Sequence, residues 1–392
     1  MSAALDWKAR EDAYVLPTYE KFPFVLTRGE GCWVWDDAGN KYLDLYGGHA
    51  VAALGHSPRE VADAIARQSR ELLFYSNLVY LRARAEAAQA LVEFCGEAGS
   101  QVFFCNSGAE ANENALRIAR SVTGRARVVA AEGGFHGRTA AAIAATGYKY
   151  RKGLSGLGAD IVHVPFGDLD AAARALDGAA AFLLEPIQSV QGATTASPEY
   201  LKGLEALCVK AGALLIFDEV QTGLGRVGAR SARHAFGARP HLQTFAKALA
   251  SGVPAGAVMA VPETAKKVRP GELGSTFGGG PLACAAITAT VNAISARKLW
   301  ENAAAMEALI RKTFDFPQIR EIRGKGLLLG LALDRPSKDA RRKLLERRIL
   351  VGGADDPNVI RLLPPLTVGP AEIGALRSAL ADIFAEEAAA AR

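Results

Sequence analysis

Short apolar runs alternate with longer segments of helical periodicity through most of the chain. Residues 102–105, 128–131, 161–164, 181–184 and 213–217 are almost wholly apolar, which is typical of strands buried on both faces of a sheet. Helical patterns, such as the one at 198–211, lie between them. Strands that alternate with helices favour βαβ units, so we predict an α/β fold with a mostly parallel sheet.

Two further segments have a different pattern of apolar and polar residues. Residues 33–36 and 41–45 flank a turn, which predicts a β-hairpin near the N-terminus. A long helical pattern runs from residue 282 to about 314, and the alternation that follows from residue 319 indicates a smaller α+β portion. With 392 residues, the chain is long enough for two or three domains with a large core.

The stretch 213–247 carries the most informative chemistry. The apolar run 213–217 delivers Asp218 to its C-terminal end, where open α/β sheets bind ligands. Lys247 stands among small and apolar residues, which would lower its pKa and free its amine for a Schiff base. Taken singly, Asp218 could cap a helix and Lys247 could reach out to water. Together they are the two partners that pyridoxal phosphate requires.

These residues also carry a family resemblance. Residues 215–226, Leu-Ile-Phe-Asp-Glu-Val-Gln-Thr-Gly-Leu-Gly-Arg, with Phe-Ala-Lys-Ala at 245–248, resemble the signature of class III (ornithine-type) aminotransferases. The resemblance implies a fold-type I pyridoxal-phosphate transferase that forms a homodimer with shared active sites. It also implies an N-terminal segment, 1–55, that packs with a small C-terminal domain, 291–392, beside a large cofactor-binding domain, 56–290.

A small-residue turn before a helix offers a phosphate cradle. Ser107, Gly108 and Ala109 follow the apolar run 102–105 and provide a hydroxyl, a close backbone approach and free N–H groups at a positive helix end. An ordinary serine N-cap would produce the same pattern. The position resembles the Ser-Gly-Ala phosphate loop of the same family.

The resemblance assigns further roles residue by residue. Lys247 would hold the cofactor and shuttle a proton, Asp218 would keep the ring nitrogen protonated, and Gln221 would bond the ring hydroxyl. Phe135, in an intact Phe-His-Gly-Arg-Thr motif at 135–139, would stack on one face of the ring, with Val220 on the other. His136 is interpreted as structural. The remaining expected contacts are Glu219 and the partner-directed Thr276 with the cofactor, and Tyr19, Arg138, Ser275 and Arg361 with substrate.

One departure from the family pattern concerns substrate exchange. After Glu-Pro-Ile-Gln at 185–188 the family has Gly-Glu-Gly-Gly, whereas this chain has Ser-Val-Gln-Gly. Val190 therefore replaces the glutamate that covers the arginine matching Arg361. We expect Arg361 to stay free or to be met by another group such as Gln191. For Arg361 itself, a surface arginine before a proline turn is the alternative interpretation.

Within the family, the chain most resembles enzymes that transfer the terminal amino group of N2-acetyl-L-ornithine to 2-oxoglutarate in arginine biosynthesis. N-succinylornithine, ornithine, 4-aminobutyrate and a carrier-bound lysine remain alternative donors. Among other enzyme classes, the alternative is a mutase or decarboxylase that uses the same cofactor. Among proteins that are not enzymes, the alternative is a regulatory protein with an inactive aminotransferase fold.

The composition and charge of the chain limit the classes of partner that we expect it to bind. The net charge of +5 is modest, and the basic cluster at 341–348 lacks interleaved aromatics, so no nucleic-acid binding is expected. No apolar run reaches the roughly 18 residues of a membrane span, and no membrane partner is expected. The five cysteines are scattered and suggest neither disulfides nor a metal site. A cytoplasmic enzyme without a metal is the expectation.

Overall fold

The computed structural model describes residues 6–153, 157–158 and 160–390. The outermost residues of the expected end segments, 1–5 and 391–392, lie outside this range. The helices, in chain order from α1 to α15, are Trp7–Tyr14, Gly47–Ala50, Arg59–Glu71, Arg82–Cys95, Gly108–Thr123, Ala140–Ala145, Tyr148–Arg151, Leu169–Ala175, Pro198–Ala211, Ala232–Phe236, Pro262–Ala265, Pro281–Ala296, Leu299–Thr313, Lys338–Glu346 and Pro370–Ala390.

The strands, in chain order from β1 to β16, are Leu26–Glu30, Trp33–Asp36, Lys41–Asp44, Gln101–Cys105, Val128–Ala131, Ile161–Val164, Ala181–Leu184, Ile187–Gln188, Thr194–Thr195, Leu214–Asp218, Leu242–Phe245, Gly256–Ala260, Ile319–Lys325, Leu328–Leu333, Ile349–Leu350 and Val359–Leu362. A short 3-10 helix, Lys247–Ala250, follows β11.

A central sheet organises the large part of the molecule. Among the described residues its order is β4-β12-β11-β10-β7-β5-β6. β12 is antiparallel to both β4 and β11, and the remaining pairs are parallel. The expected α/β architecture with a mostly parallel sheet is confirmed.

The centre of the sheet is buried on both faces, since β5, β7, β10 and β12 are buried at every position. Alternate residues of β10 point to opposite sides. Leu215 and Phe217 join the apolar cluster that includes α9, whereas Leu214 and Ile216 join the cluster beneath α5. Asp218, at the end of β10, is therefore the first polar side chain that this strand delivers to the sheet edge.

The N-terminal hairpin joins the C-terminal part of the chain. β2 and β3 pair as an antiparallel hairpin, and β3 pairs in parallel with β15. A separate antiparallel sheet, β13-β14-β16, completes this region. These pairings support the predicted packing of 1–55 with 291–392, although the domain boundaries themselves stay a prediction.

The long helical pattern from residue 282 is two helices rather than one. α12 ends at Ala296, and α13 begins at Leu299. Lys298 between them has φ +47, a left-handed conformation that ends a right-handed helix. α12 packs on α3, on α4 and on the 3-10 helix that begins at Lys247.

Candidate active site

A cavity of about 410 Å³ opens at the C-terminal edge of the parallel strands. The sequence-predicted residues that line it are Tyr19, Ser107, Gly108, Ala109, Phe135, Arg138, Asp218, Val220 and Lys247. Residues from five separate segments of the chain thus meet in one place, which is the usual position for a ligand in an α/β sheet.

Asp218 is buried and held by neighbours on three other elements. Its Oδ2 accepts hydrogen bonds from Asn112 Nδ2 at 2.7 Å and from the Nδ1 of His136 at 2.8 Å, while Oδ1 accepts from the Val220 N–H at 3.0 Å. Thr244 fixes Asn112 by donating to its Oδ1 at 2.8 Å. The network holds the carboxylate in one orientation and satisfies both of its oxygens.

Lys247 begins the 3-10 helix directly after β11. Its φ of +43 is uncommon for a residue with a side chain and marks strain of the kind found at functional sites. Burial lowers the pKa of Lys247, opposed by Asp218 and Glu185 and reinforced by Arg361. A larger share of neutral amine, the nucleophilic form, follows from this environment.

The predicted phosphate cradle is the N-terminus of α5. Ser107 is the N-cap and accepts a hydrogen bond from Glu110 N–H at 3.2 Å. A Cβ on Gly108 would lie 3.0 Å from both methyl groups of Val220, so glycine allows the helix end to approach the cavity wall. The unpaired N–H groups of this first turn face an anion favourably.

The backbone of Phe135 is held in place by the buried carboxyl group of Glu185. Its N–H donates to Glu185 Oε1 at 2.8 Å, and its ring meets that of Tyr150 edge-on at 5.0 Å. Burial, with a contribution from the negative charge of Asp218, raises the pKa of Glu185 to about 7. Phe135 and Val220 are therefore both presented to the cavity.

Tyr19 and Arg138 occupy the exposed side of the cavity. Tyr19 is 69% exposed, and Arg138 is also exposed. Within the described residues Arg138 has neither a hydrogen bond nor an ion pair, so its guanidinium is available to an anionic ligand. Both positions suit contact with substrate.

Arg361 lies on β16, is 6% exposed and is not free. It donates to the Tyr46 hydroxyl at 2.8 Å, to Ser189 Oγ at 3.1 Å and to the Gly353 carbonyl at 2.6 Å. Of the two expectations, that Arg361 stays free is wrong, whereas that it is met by another group holds, although the groups are Tyr46, Ser189 and Gly353 rather than Gln191. The reason is that the side chain of Ser189, one residue before Val190, together with Tyr46 from the N-terminal segment, reaches the guanidinium.

The other predicted site residues lie next to the cavity rather than on its wall. Glu219 is buried behind it, where it accepts hydrogen bonds from Ala232 N–H and Gln243 Nε2, each at 2.6 Å. Ser275 bonds Asn106, which does line the cavity, at 3.2 Å. Thr276 is exposed to solvent. Gln221 is half-buried, and its Oε1 has no partner among the described residues.

Comparison with known proteins identifies the family. The family model "Aminotransferase class-III" matches residues 14–384. The chain belongs to the class III aminotransferases. It is 40% identical to the acetylornithine aminotransferase of Methanothermobacter thermautotrophicus over 96% of this chain and 97% of that one. Identity with the acetylornithine aminotransferase of Methanopyrus kandleri is 42%, covering 95% and 98%. The ornithine aminotransferase of Toxoplasma gondii superposes with a TM-score of 0.91 at 31% identity, covering 97% and 95%.

This class III aminotransferase is a transaminase that depends on pyridoxal 5'-phosphate. The residues present fit that cofactor. The cradle at Ser107 suits a phosphate, the buried carboxylate of Asp218 suits a protonated ring nitrogen, and the orphaned Gln221 Oε1 needs a hydrogen-bond partner. No helix in the described part of the enzyme is long and apolar enough to cross a membrane.

Asn112 and Tyr46 are site residues that sequence reasoning missed. Asn112 lies within α5, and its amide reaches Asp218, which is 106 positions away. Tyr46 reaches Arg361 across 315 positions. Neither stands in a motif that marks it. His136 was interpreted as structural, and the structure places it directly against Asp218, where it positions the carboxylate.

Proposed function

We propose that this enzyme transfers the terminal amino group of N2-acetyl-L-ornithine to 2-oxoglutarate, giving the semialdehyde and L-glutamate in arginine biosynthesis. The observation that carries the proposal is one cavity that combines Lys247 and Asp218 with the unpaired guanidinium of Arg138. The acetylornithine aminotransferases to which the chain is 40 to 42% identical support the choice of donor.

The proposed mechanism assigns a task to each side chain. Pyridoxal 5'-phosphate, once bound, supplies an electron-withdrawing ring that stabilises negative charge on the reacting carbon. Lys247 binds the cofactor covalently in the resting enzyme and then moves the proton at the reacting carbon, a task for which its lowered pKa suits it. Asp218, held by Asn112 and His136, keeps the ring nitrogen protonated.

The surrounding residues bind and orient. Ser107, Gly108 and Ala109 would bind the phosphate, Phe135 and Val220 would pack against the ring, Gln221 would bond its hydroxyl, and Glu219 would support the turn behind it. Arg138 binds the α-carboxylate of the donor, because a guanidinium can pair with a carboxylate through two parallel hydrogen bonds. Tyr19 and Ser275 contact substrate in this proposal.

N-succinylornithine is the second candidate donor. Arg361 is buried, and no carboxylate pairs with it among the described residues. A donor with a second carboxylate could therefore find a partner there, whereas acetylornithine has none to offer. Ornithine, 4-aminobutyrate and a carrier-bound lysine remain further alternatives, as does a class III-type mutase or decarboxylase.

The assembly is proposed to be a cytoplasmic homodimer in which Thr276 binds the cofactor phosphate of the partner subunit. Exposed apolar side chains at 72–80 and at Phe277 support an interface beside Thr276. The five cysteines are buried and free, which suits a reducing compartment.

An amino-donor screen against 2-oxoglutarate tests the proposal. N2-acetylornithine, N-succinylornithine, ornithine, 4-aminobutyrate and lysine are each supplied at equal concentration, and glutamate is measured. We expect acetylornithine to give the highest kcat/KM. A higher value for N-succinylornithine would select the second candidate, and formation of no glutamate from any donor would contradict the aminotransferase assignment.

A further inference from the structure

Arg361 is held only by uncharged groups. Its three hydrogen-bond acceptors are a phenol, an alcohol and a backbone carbonyl, from Tyr46, Ser189 and Gly353. None of the ion pairs found among the described residues includes Arg361. A buried guanidinium without a counter-ion is costly, so a carboxylate that pairs with Arg361 would offset that cost.

Other cations increase that cost. Burial and the charge of Arg361 lower the pKa of Arg341, and the charge of Lys247 acts on His49 together with that of Arg361. Arg361, Arg341 and Lys247 therefore lie close enough for their charges to act on shared neighbours. Three cations thus meet in this corner, and the groups that bond Arg361 directly are neutral.

Tyr46 connects Arg361 to a histidine in a strained turn. The Tyr46 hydroxyl lies 2.8 Å from Arg361 Nη2 and 2.8 Å from the Nδ1 of His49. His49 stands in α2, where Gly47, Gly48, His49 and Ala50 all have φ between 55 and 67, so this turn is left-handed. Such a conformation is unfavourable for His49 and Ala50, and strain of this kind clusters at functional sites.

The fold holds this turn firmly in place. Asp44 Oδ1 accepts from the N–H groups of Tyr46 and Gly47 at 2.8 and 2.9 Å, and Asp44 Oδ2 lies 2.8 Å from His56 Nε2. The ring of Tyr46 packs against Gly352, where a Cβ would lie 2.1 Å from the ring. Gly352 in turn bonds the backbone of Arg361, so phenol and guanidinium are positioned together.

The protonation states of Tyr46 and His49 allow the Tyr46 hydroxyl to change its hydrogen-bond acceptor. Burial raises the pKa of Tyr46, although Arg361 opposes this, and the hydroxyl keeps its proton near neutral pH. Burial and the charges of Arg361 and Lys247 lower the pKa of His49, so its ring is neutral at the same pH, and Nδ1 accepts from the phenol in the tautomer that carries the proton on Nε2. The phenol can therefore accept from Arg361 while it donates to His49.

We propose that Tyr46 and His49 form a neutral gate on Arg361. In the absence of a carboxylate, the Tyr46 hydroxyl covers Nη2 of Arg361 and donates to His49. When 2-oxoglutarate enters, the carboxylate next to its reacting carbon takes Nη2, and the Tyr46 hydroxyl turns from His49 to donate to that carboxylate. Tyr46 is then a specificity-determining residue for the acceptor, and His49 is a positioning residue.

The gate rests on the proposed function, because it gives Arg361 the carboxylate of a keto acid. It predicts a difference between the two half-reactions. The terminal amine of the donor has no carboxylate on its reacting carbon, whereas 2-oxoglutarate does. Succinic semialdehyde is 2-oxoglutarate without that carboxylate, and it offers a matched acceptor that does not engage the gate.

The test uses the holoenzyme and three kinds of variant. Tyr46→Phe removes the hydroxyl and keeps the ring. His49→Gly removes the acceptor at a backbone position that glycine adopts easily, and His49→Asn returns an amide oxygen in a residue that tolerates positive φ. Tyr42→Phe is the matched control, because it removes a phenol that bonds Asp36 in the neighbouring hairpin.

Two measurements are compared. Binding of glutarate, an unreactive dicarboxylate, is followed by calorimetry, and single turnovers of the pyridoxamine form are followed with 2-oxoglutarate and with succinic semialdehyde. Tyr46→Phe should weaken glutarate binding about 10-fold, since a hydrogen bond to a charged group is lost. The 2-oxoglutarate concentration that gives the half-maximal single-turnover rate should rise by a similar factor, while the maximal rate, the rate with succinic semialdehyde and the donor half-reaction stay nearly unchanged. His49→Gly should show a smaller effect in the same direction, which His49→Asn reverses.

The outcomes separate the two proposals. Equal effects of Tyr46→Phe on both acceptors, or unchanged glutarate binding, would overturn the gate while leaving the aminotransferase assignment intact. A wild-type enzyme that turns over neither acceptor but binds glutarate in a Tyr46-dependent way would overturn the proposed function and retain the carboxylate site.

Discussion

The burial of Asp218 shows how individual residues make this site possible. An isolated buried carboxylate is costly, and the cost is offset here by Asn112, His136 and a backbone N–H that all donate to it. Because these donors belong to the packed structure, the orientation of the carboxylate does not depend on the cofactor. Asp218 is thus preorganised for a cationic ring nitrogen.

Lys247 is the residue on which the proposed chemistry depends. We expect Lys247→Ala to fold and to bind pyridoxal phosphate only noncovalently, and turnover should fall on the order of 10³-fold or more because the proton-transfer group is gone. Lys266→Ala, which removes an exposed lysine at the end of α11, should leave turnover unchanged. Borohydride reduction and peptide mass spectrometry provide the measurement, and a cofactor adduct on any other lysine would refute the assignment.

Glu185 makes stability depend on pH in a direction that can be checked. Burial raises its pKa in the folded protein to about 7, above the value of roughly 4.3 in an unfolded chain. The folded state therefore holds a proton that the unfolded state releases, and this contribution is complete below pH 4 and is lost as the pH rises through 7. The total loss at pH 8, relative to pH below 4, is about 4 kcal/mol.

Glu185→Gln should flatten that dependence, because the amide does not titrate and its oxygen still accepts from the Phe135 N–H. Thermal unfolding of the cofactor-free protein between pH 5 and 8 is the measurement. The difference in unfolding free energy between wild type and variant should change by about 3 kcal/mol across this range, with wild type losing more. Parallel curves would show that Glu185 is already ionised at pH 5.

At the level of elements, the sequence pattern predicted where the strands lie along the chain. It predicted less well which residues contact each other. The apolar runs at 128–131 and 181–184 coincide with β5 and β7, because strands buried on both faces need apolar residues at every position. The interruption between α12 and α13 was missed, since the apolar pattern continues across the left-handed Lys298. Side-chain partners such as Asn112 come from packing, which local periodicity does not encode.

The N-terminus of α5 can be tested as a phosphate site rather than an ordinary cap. Ser107→Ala removes a hydroxyl that bonds Glu110 N–H, and Ser197→Ala removes the equivalent cap of α9, where Ser197 Oγ accepts from Tyr200 N–H at 3.1 Å. Both should lower the free energy of unfolding by about 1 kcal/mol. Only Ser107→Ala should also weaken cofactor binding, by about 10-fold, through loss of a charge-assisted hydrogen bond.

Equilibrium dialysis of pyridoxal phosphate and chemical denaturation together decide between the two roles. A loss of stability in both variants with unchanged cofactor affinity would reduce Ser107 to a structural cap. The comparison is matched because each serine stands at the N-cap of a helix of similar length, α5 or α9.

The whole molecule has an apolar patch that a single chain leaves uncovered. Its members are Leu72, Leu73, Phe74, Tyr75, Leu78, Val79, Tyr80 and Phe277. The two segments that form it are joined, since the rings of Phe74 and Phe277 lie 5.3 Å apart and Asn77 Nδ2 donates to the Ser275 carbonyl at 2.8 Å. Contiguous apolar patches on this scale mark interaction surfaces.

A second copy of the chain is the proposed occupant, because the patch continues into the segment that carries Ser275 and Thr276. Leu78, which is 92% exposed in the single chain, should be buried in the dimer. Leu78→Asp would place an unpaired charge there, and the cost of desolvating it should dissociate the dimer at micromolar concentration. Val209→Asp, at a 65% exposed site on α9, is the matched control and should remain dimeric.

Light scattering at assay concentration measures the mass, and turnover is measured in the same samples. We expect Leu78→Asp to have half the mass of wild type and to lose cofactor affinity and activity together, because Thr276 would no longer reach the phosphate of the partner subunit. An active monomer would contradict shared active sites, since the cavity of one chain would then suffice for catalysis. A Leu78→Asp dimer with wild-type activity would instead show that the subunits meet through another surface.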